Sequence, residues 1–234
     1  MRRRLVLFDI DGTLLHSNGL GRRALERALR EHLDDPCVLD RIRLDGKTDP
    51  GIVAEILAAA GHADPGEPGR IERILESYVG HLEEEIAGHT PGPGPVLLPG
   101  VLALLDRLAA EPRVLTGLLT GNVAPGADRK LQAVGLAPSR FAVGAYGSDH
   151  PRRDALPGIA ALRAEPLLGY RPHGADLIII GDTPADVTCG ASLGARALGV
   201  ATGSYDAASL GAAGAFRVFP SLEDGDQVCE AILC

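Results

Sequence analysis

The sequence predicts an α/β protein: a doubly wound parallel sheet with a block of helices inserted after its first strand. Three observations carry this prediction. Short apolar runs recur along the chain, each ended by Gly, Asp or Thr. Between the later runs lie amphipathic stretches of ten or more residues, the rhythm of a parallel sheet joined by crossover helices. After the first run come about 75 residues of helical and turn patterning with no good strand among them.

Leu5 to Phe8 is continuously apolar, as a strand buried on both faces must be. It stops at Asp9-Ile10-Asp11-Gly12-Thr13, where the chain has to turn. Gly19 to Leu33 sets Arg and Glu against Leu and Ala at helical spacing, and residues 50–60 and 70–86 read as two further amphipathic helices, Pro50 suiting the first turn of one. No good strand is evident from 14 to 90. Pro91-Gly92-Pro93-Gly94-Pro95 is a stiff boundary. The domains expected are therefore a core of residues 1–15 with 96–234, and a helical insert of residues 16–95.

The alternation then resumes. A helix is expected over 101–110, a strand over 114–119 ending at Thr120-Gly121-Asn122, and a helix over 125–134 closed by Gly135. A short strand follows over 141–146, then a helix over 154–168 and a strand over 177–180 ending at Gly181-Asp182. A helix over 184–193, a strand over 196–200 and helices over 206–210 and 221–232 complete the chain.

Composition removes several function classes. The chain has 234 residues and a formal net charge of −8, which argues against a nucleic-acid binder, since that needs a basic face to displace counterions. Aromatics are 3% with no Trp, so a base-stacking surface is not expected. No apolar stretch reaches membrane-spanning length, and the run after Arg2-Arg3-Arg4 is too short for a signal peptide, so no membrane partner is expected. The cysteines, Cys37, Cys189, Cys229 and Cys234, have no metal-binding spacing and fit reduced thiols of a cytoplasmic protein. Oligomeric state, monomer or homodimer, is left open. Of 23 basic residues only Lys47 and Lys130 are lysine, which draws attention to both.

Ligands of open α/β sheets bind beyond the carboxyl ends of the strands. That rule gathers Asp9, Asp11, Thr120, Asn122, Asp182 and Asp186 at one edge. Each alone is an ordinary turn former or cap; together they are a site. Converging carboxylates repel and call for a cation, and oxygen donors without His or Cys select a hard ion such as Mg²⁺, which favours phosphate oxygens as further ligands. The Thr120 hydroxyl and the N–H groups of Gly121 and Asn122 near a helix start suit an anion. A small phosphorylated metabolite is the expected partner.

Asp9-Ile10-Asp11-Gly12-Thr13-Leu14 resembles the DxDGT(L) signature of the haloacid dehalogenase superfamily. Leu118-Leu119-Thr120-Gly121-Asn122 is similar to its second motif and Gly181-Asp182-Thr183-Pro184-Ala185-Asp186 to its fourth, in the right order and over nearly the whole chain. The resemblance implies a Rossmann-like core with a helical cap between the first and second motifs. It implies Asp9 as the nucleophile that becomes an aspartyl-phosphate and Asp11 as general acid and base. It implies Mg²⁺ on Asp9, the Asp11 main-chain carbonyl and Asp182, with Asp186 on or behind that shell, and phosphoryl oxygens on Thr120 and Asn122, with Gly12 and Gly121 lining the substrate. The second Asp, Asp11, favours phosphate chemistry over dehalogenation.

The third motif departs from the family pattern. His150-Pro151-Arg152-Arg153-Asp154 stands where KPxP is usual, and Arg153 opens the helix as the family's lysine does. Arginine keeps the charge and grips phosphate bidentately. Lys130 is the competitor, although it would sit roughly 12 Å along its helix from Asn122 at 1.5 Å per residue, so a packing or surface role is open to it. Leu44-Asp45-Gly46-Lys47-Thr48-Asp49 resembles the Gly-Lys-Thr-Asp cap loop of phosphoglycolate phosphatase-like members, with Lys47 facing a substrate anion or simply solvated.

Rival readings are weaker. Gly46-Lys47-Thr48 ends like a P-loop, but Arg41 stands where its first Gly belongs. Gly19-Leu20-Gly21-Arg22-Arg23-Ala24 is too far past the first strand for a dinucleotide site and reads as a hinge and helix start, and no GxSxG elbow occurs. The expected function is a Mg²⁺-dependent phosphatase of a small phosphomonoester. A β-phosphoglucomutase-like phosphomutase, a phosphonate hydrolase using Lys47, and a binding or regulatory protein with a vestigial site are the alternatives.

Overall fold

The first strand, β1 (Arg4–Phe8), lies inside a six-stranded sheet in the order β5-β4-β1-β6-β7-β8, all neighbours parallel. Its companions are β4 (Val114–Leu119), β5 (Val143–Ala145), β6 (Leu177–Gly181), β7 (Arg196–Val200) and β8 (Arg217–Phe219). The computed structural model describes residues 3–33, 36–88 and 92–234; Arg2, Pro91 and the side chain of Cys37 lie outside the description. The sheet is sandwiched as the apolar runs require. Val6 and Phe8 of β1 face the cluster that contains α4 (Val101–Ala109) and α9 (Gly225–Leu233), whereas Leu5 and Leu7 face the one that contains α6 (Leu156–Leu168). Strand residues alternate between faces, so an all-apolar strand serves two cores.

Between β2 (Leu15–His16) and β3 (Val96–Leu97) come α1 (Leu20–His32), a 3-10 helix Pro36–Arg41, α2 (Asp49–Ala59) and α3 (Pro68–Ile86). They enclose a cluster of their own, with Leu29, Ile56, Leu57, Ile74 and Leu82 fully buried. Val123, from the core, joins that cluster. Arg23 of α1 reaches the buried Glu85 of α3 at 2.7 Å. Gly19, at φ +79°, caps α1 in the left-handed conformation that glycine adopts at no steric cost. Thr48 caps α2, accepting from Gly51 N at 3.2 Å, with Pro50 in the first turn.

The elements differ from the sequence expectation at their edges. Residues 14–90 do contain a strand, β2, whose two residues pair antiparallel with β3; two residues carry no periodicity to read. β8, three residues at the sheet edge, was not expected for the same reason. The helix expected from 154 begins at Leu156, after a 3-10 turn over Arg153–Ala155, and the one expected over 184–193 breaks after α7 (Pro184–Cys189) at Gly190. The last helix starts at Gly225, capped by Asp224, and the one before it is α8 (Ala207–Ala212), capped by Asp206. Among the described residues no helix is long and apolar enough to cross a membrane, and Cys189, Cys229 and Cys234 are free thiols.

Candidate active site

The register of the three inner strands builds the site. Phe8 of β1 is level with Leu118 of β4 and Ile180 of β6. The residues that follow, Asp9, Thr120 and Asp182, therefore emerge side by side at the carboxyl edge. The backbone holds them there: Asp9 N donates to Ile180 O at 2.9 Å and Thr120 N to Ala145 O at 3.0 Å. All three are buried. α7 adds Asp186 through a capping box. Asp186 Oδ2 accepts from Thr183 N at 3.0 Å and Thr183 Oγ1 at 2.6 Å, and Thr183 Oγ1 accepts from Asp186 N.

Carboxylate oxygens of Asp9, Asp182 and Asp186 lie within 4.8 Å of one another, all buried. One cation sits among them. Arg153 places a guanidinium nitrogen 3.1 Å from Asp9 Oδ1 and pairs the same nitrogen with Asp186 Oδ1. That is one guanidinium among three carboxyl groups. Burial, moderated by Arg153 but reinforced by Asp186 and Asp11, pushes the Asp9 carboxyl up to about 6. Burial, with Asp186 and Asp9 as neighbours, pushes Asp182 up to about 9, and Thr13 Oγ1 donates to it at 3.2 Å. Two glycines make the room: a Cβ on Gly12 (φ +81°) or on Gly203 would overlap the Asp182 carboxylate. An all-oxygen donor set short of positive charge fits a hard divalent ion. Nε of Arg153 is buried and finds no acceptor among the described residues.

Asp11 points elsewhere. Its carboxylate accepts from Ser17 Oγ at 2.6 Å, Asn122 Nδ2 at 2.8 Å and Lys130 Nζ at 2.7 Å. Burial alone would raise its pKa, but Lys130, Ser17 and Asn122 outweigh burial and hold it below the ordinary carboxylate range. Its side chain is thus outside the three-carboxylate cluster. The packing or surface role open to Lys130 is excluded. The side chain is buried in the site, bonded to Asp11 and, at 2.6 Å, to Asn122 Oδ1. The helical rise misleads because α5 (Ala124–Ala133) begins only after Asn122, and long helical side chains lean back toward the N-terminus. Arg153 and Lys130 are both present, on different carboxylates. Asn122 is less free than expected: its N–H turns to Thr120 Oγ1 at 3.3 Å and its side chain serves Asp11, Thr120 and Lys130.

The insert covers this edge. Asp49 N donates to Gly121 O at 2.7 Å, Asp49 Oδ2 accepts from Val123 N at 2.8 Å, and Thr48 Oγ1 donates to Pro151 O. Gly121 is glycine because a Cβ would overlap the Lys47 carbonyl. Asp49 is half-buried, and its desolvation, with Lys130 opposing, pushes its carboxyl up to about 6. Lys47 lines the cavity, but its ammonium pairs with Glu55. A cavity of about 230 Å³ remains between Asp9, Asp11 and Thr120 below and Arg22, Leu44 and Leu75 above. Sequence reasoning missed Thr48, Asp49, Tyr78 and Gly203 as site residues. Thr48 and Asp49 stood in the loop already quoted; Tyr78 and Gly203 carry no local signal.

The haloacid dehalogenase-like hydrolase profile matches residues 6–191. The chain belongs to that family. It is also similar to phosphoglycolate phosphatases from Rhodospirillum rubrum (32% identical over 227 residues, 94% of this chain and 89% of the relative) and Chromobacterium violaceum (32% over 216 residues, 88% and 89%). It is accordingly a phosphoglycolate phosphatase-like hydrolase of the family, an enzyme of the phosphatase type. The fold is that of a β-phosphoglucomutase from Clostridium difficile (TM-score 0.72, 19% identity, 100% of this chain and 98% of the other) and of CbbY from Rhodobacter sphaeroides, solved with phosphate (TM-score 0.70, 20% identity, 96% of each).

Proposed function

We propose that this family member is a Mg²⁺-dependent phosphatase acting on a small phosphoglycolate-like monoester through an aspartyl-phosphate on Asp9. The observation that carries the reading is the setting of Asp9: a buried carboxylate at the cavity floor, paired with Arg153 and grouped with Asp182 and Asp186. Two relatives at 32% identity are named phosphoglycolate phosphatase, which supports the substrate class.

Asp9, Asp182 and Asp186, with the main-chain carbonyl of Asp11, are the groups that would hold Mg²⁺. The ion would supply charge neutralisation that lets an anionic ester approach an anionic nucleophile. Arg153 binds phosphoryl oxygen with its remaining donors and keeps Asp9 in line. Asp9 attacks phosphorus as the bond to the leaving oxygen breaks. Asp11 is ionised at rest by its bonds to Lys130. The monoester, whose second pKa is about 6, carries a proton in as its monoanion, and Asp11 relays it, an uphill transfer completed by the far more basic leaving oxygen. Asp11 then removes a proton from the water that cleaves the aspartyl-phosphate. Thr120 donates its hydroxyl hydrogen to the phosphoryl group.

Residues 16–95 act as the cap and residues 1–15 and 96–234 as the catalytic core, the β2–β3 pair being the connection. With Lys47 engaged by Glu55, phosphonate cleavage through a Lys47 Schiff base is the less favoured chemistry. The test is phosphate release from p-nitrophenyl phosphate and phosphoglycolate, with Mg²⁺ or EDTA, in wild type and Asp9→Asn. Release that needs Mg²⁺ and disappears in Asp9→Asn is expected. Turnover surviving in Asp9→Asn would remove the aspartyl-phosphate from the mechanism.

A further inference from the structure

The cavity over Asp9 has two unlike walls. Its floor is charged, but much of the wall that the insert supplies is aliphatic: Leu25 of α1, Leu44, Ile52 of α2 and Leu75 of α3 line it. A substrate hydroxyl pressed against these side chains would lose its bonds to water and gain none in return. A polyhydroxylated substrate such as a hexose phosphate is poorly served there. The space is also small: about 230 Å³, below the roughly 300–1,000 Å³ of sites that take drug-sized ligands. The phosphoryl group must occupy part of it.

The insert brings two cations to the same cavity, Arg22 of α1 and Lys47. They differ in what they have left to offer. The single ammonium of Lys47 is paired with Glu55. Arg22 commits only Nη2, which donates to Asp40 Oδ1 at 2.7 Å and to Leu39 O at 3.4 Å. Among the described residues its Nε and Nη1 have no acceptor, so the guanidinium keeps donors for a ligand. The tie to Asp40 is weak besides. The Asp40 side chain is 79% exposed and that of Arg22 42%, and a pair so open to water is worth no more than about 1 kcal/mol. It guides the guanidinium without locking it. Gly21, next in the chain, faces the ammonium of Lys130, where a Cβ would lie 3.4 Å from Nζ, so this turn of α1 stands over the Lys130–Asp11 pair.

We propose that Arg22 is the specificity-determining residue of this cavity: it binds a carboxylate on the leaving-group side of the substrate, so that the enzyme takes short phosphorylated carboxylic acids and rejects sugar phosphates. The proposal rests on the reading of this chain as a phosphatase of a phosphoglycolate-like monoester. A short acid suits both kinds of wall. Its methylene lies on the aliphatic side chains, and its carboxylate, drawn out of water, meets the charged partner that it needs. Arg22 makes and breaks no covalent bond, and the chemistry at phosphorus is unchanged.

The experiment measures kcat/KM in the full chain with Mg²⁺ for phosphoglycolate, its carboxamide (the same size without the charge), glucose 6-phosphate and p-nitrophenyl phosphate. The proteins are wild type, Arg22→Met, Arg22→Lys and Lys47→Met. Wild type is expected to favour phosphoglycolate over the other two metabolite-sized esters. Arg22→Met is expected to lower kcat/KM for phosphoglycolate about 30-fold, mostly through KM, and for the carboxamide less than about 3-fold, as when a charged hydrogen-bonding partner is lost from uniform binding. Arg22→Lys keeps the charge and should recover part of the loss. Equal losses on the two esters in Arg22→Met, or none, would overturn the proposal; Arg22→Gln reads the same outcomes if Arg22→Met does not fold. A selective loss in Lys47→Met alone would also overturn it, moving the carboxylate to Lys47, as would wild-type turnover of glucose 6-phosphate equal to that of phosphoglycolate. The p-nitrophenyl ester separates the two levels. If wild type hydrolyses it while Arg22→Met shows no selectivity, the proposal alone fails; if wild type releases phosphate from none of the four esters, the phosphatase reading falls and takes the proposal with it.

Discussion

Arg153 and Asp9 meet 3.1 Å apart although they lie far apart in the sequence, one in a 3-10 turn ahead of α6 and the other just past the end of β1. The same guanidinium nitrogen also holds Asp186. Arg153 is thus the one described cation inside the three-carboxylate cluster; it neutralises buried charge and, in the proposed mechanism, also aims the nucleophile.

Removing it should be felt in both. Arg153→Ala is expected to lower kcat/KM by about 10²-fold or more, the scale of losing a charged donor from a transition state. It should also destabilise the ion-free protein by about 3 kcal/mol, because buried carboxylates lose their partner. Arg153→Lys keeps the charge but not the planar fork, and should recover part of the rate. Lys130→Ala, acting on Asp11 rather than on the nucleophile, should cost several-fold less. Steady-state kinetics and urea unfolding check the order; a larger loss in Lys130→Ala would reverse the two roles.

Gly203 leads to a second expectation. It is far from every quoted motif, yet a side chain there would overlap the Asp182 carboxylate, as would one on Gly12. Gly203→Ala should displace Asp182 and weaken Mg²⁺ affinity about 10- to 100-fold, the cost seen when groups supporting a ligand are disturbed. Gly158→Ala, where a Cβ meets open space within α6, should leave affinity unchanged. Titration calorimetry with Mg²⁺ on the two variants decides it. Wild-type affinity in Gly203→Ala would mean that Asp182 does not need its present position.

Much of this site is legible in the sequence because strand ends are. Asp9, Thr120 and Asp182 each follow a buried run, and parallel register brings such residues together whatever the intervening length. Lys130 shows the limit. Its distance along a helix said little about where a long, flexible side chain reaches, and only the packing of α5 against the insert explains its burial. Tyr78 and Gly203 are invisible for a related reason: one contributes a single hydroxyl from within an apolar stripe and the other an absence of atoms. β2, β3 and β8 were too short for a period of two to register.

The carboxylate cluster makes stability depend on pH and on the ion together. Asp9 is raised to about 6 and Asp182 to about 9, against ordinary values near 3.8. A carboxyl raised on folding binds its proton more tightly in the native state, so the native state carries more protons than the unfolded chain between the two values. Stability from these groups is fully present below about pH 4 and is lost as pH rises through about 6 and then about 9. Asp49, also raised to about 6, adds to the first step. A divalent ion at Asp9, Asp182 and Asp186 replaces those protons with fixed positive charge, so its effect must grow where the protons have gone. The Tm increase produced by a fixed Mg²⁺ concentration is expected to be larger at pH 8.5 than at pH 5.5, by several degrees (about 1 kcal/mol shifts Tm of a chain this size by ~2–4 °C). Asp182→Asn, which removes the group raised furthest, should flatten that difference. Differential scanning fluorimetry across the range measures it directly, and an Mg²⁺ effect independent of pH would place the ion away from these three carboxylates.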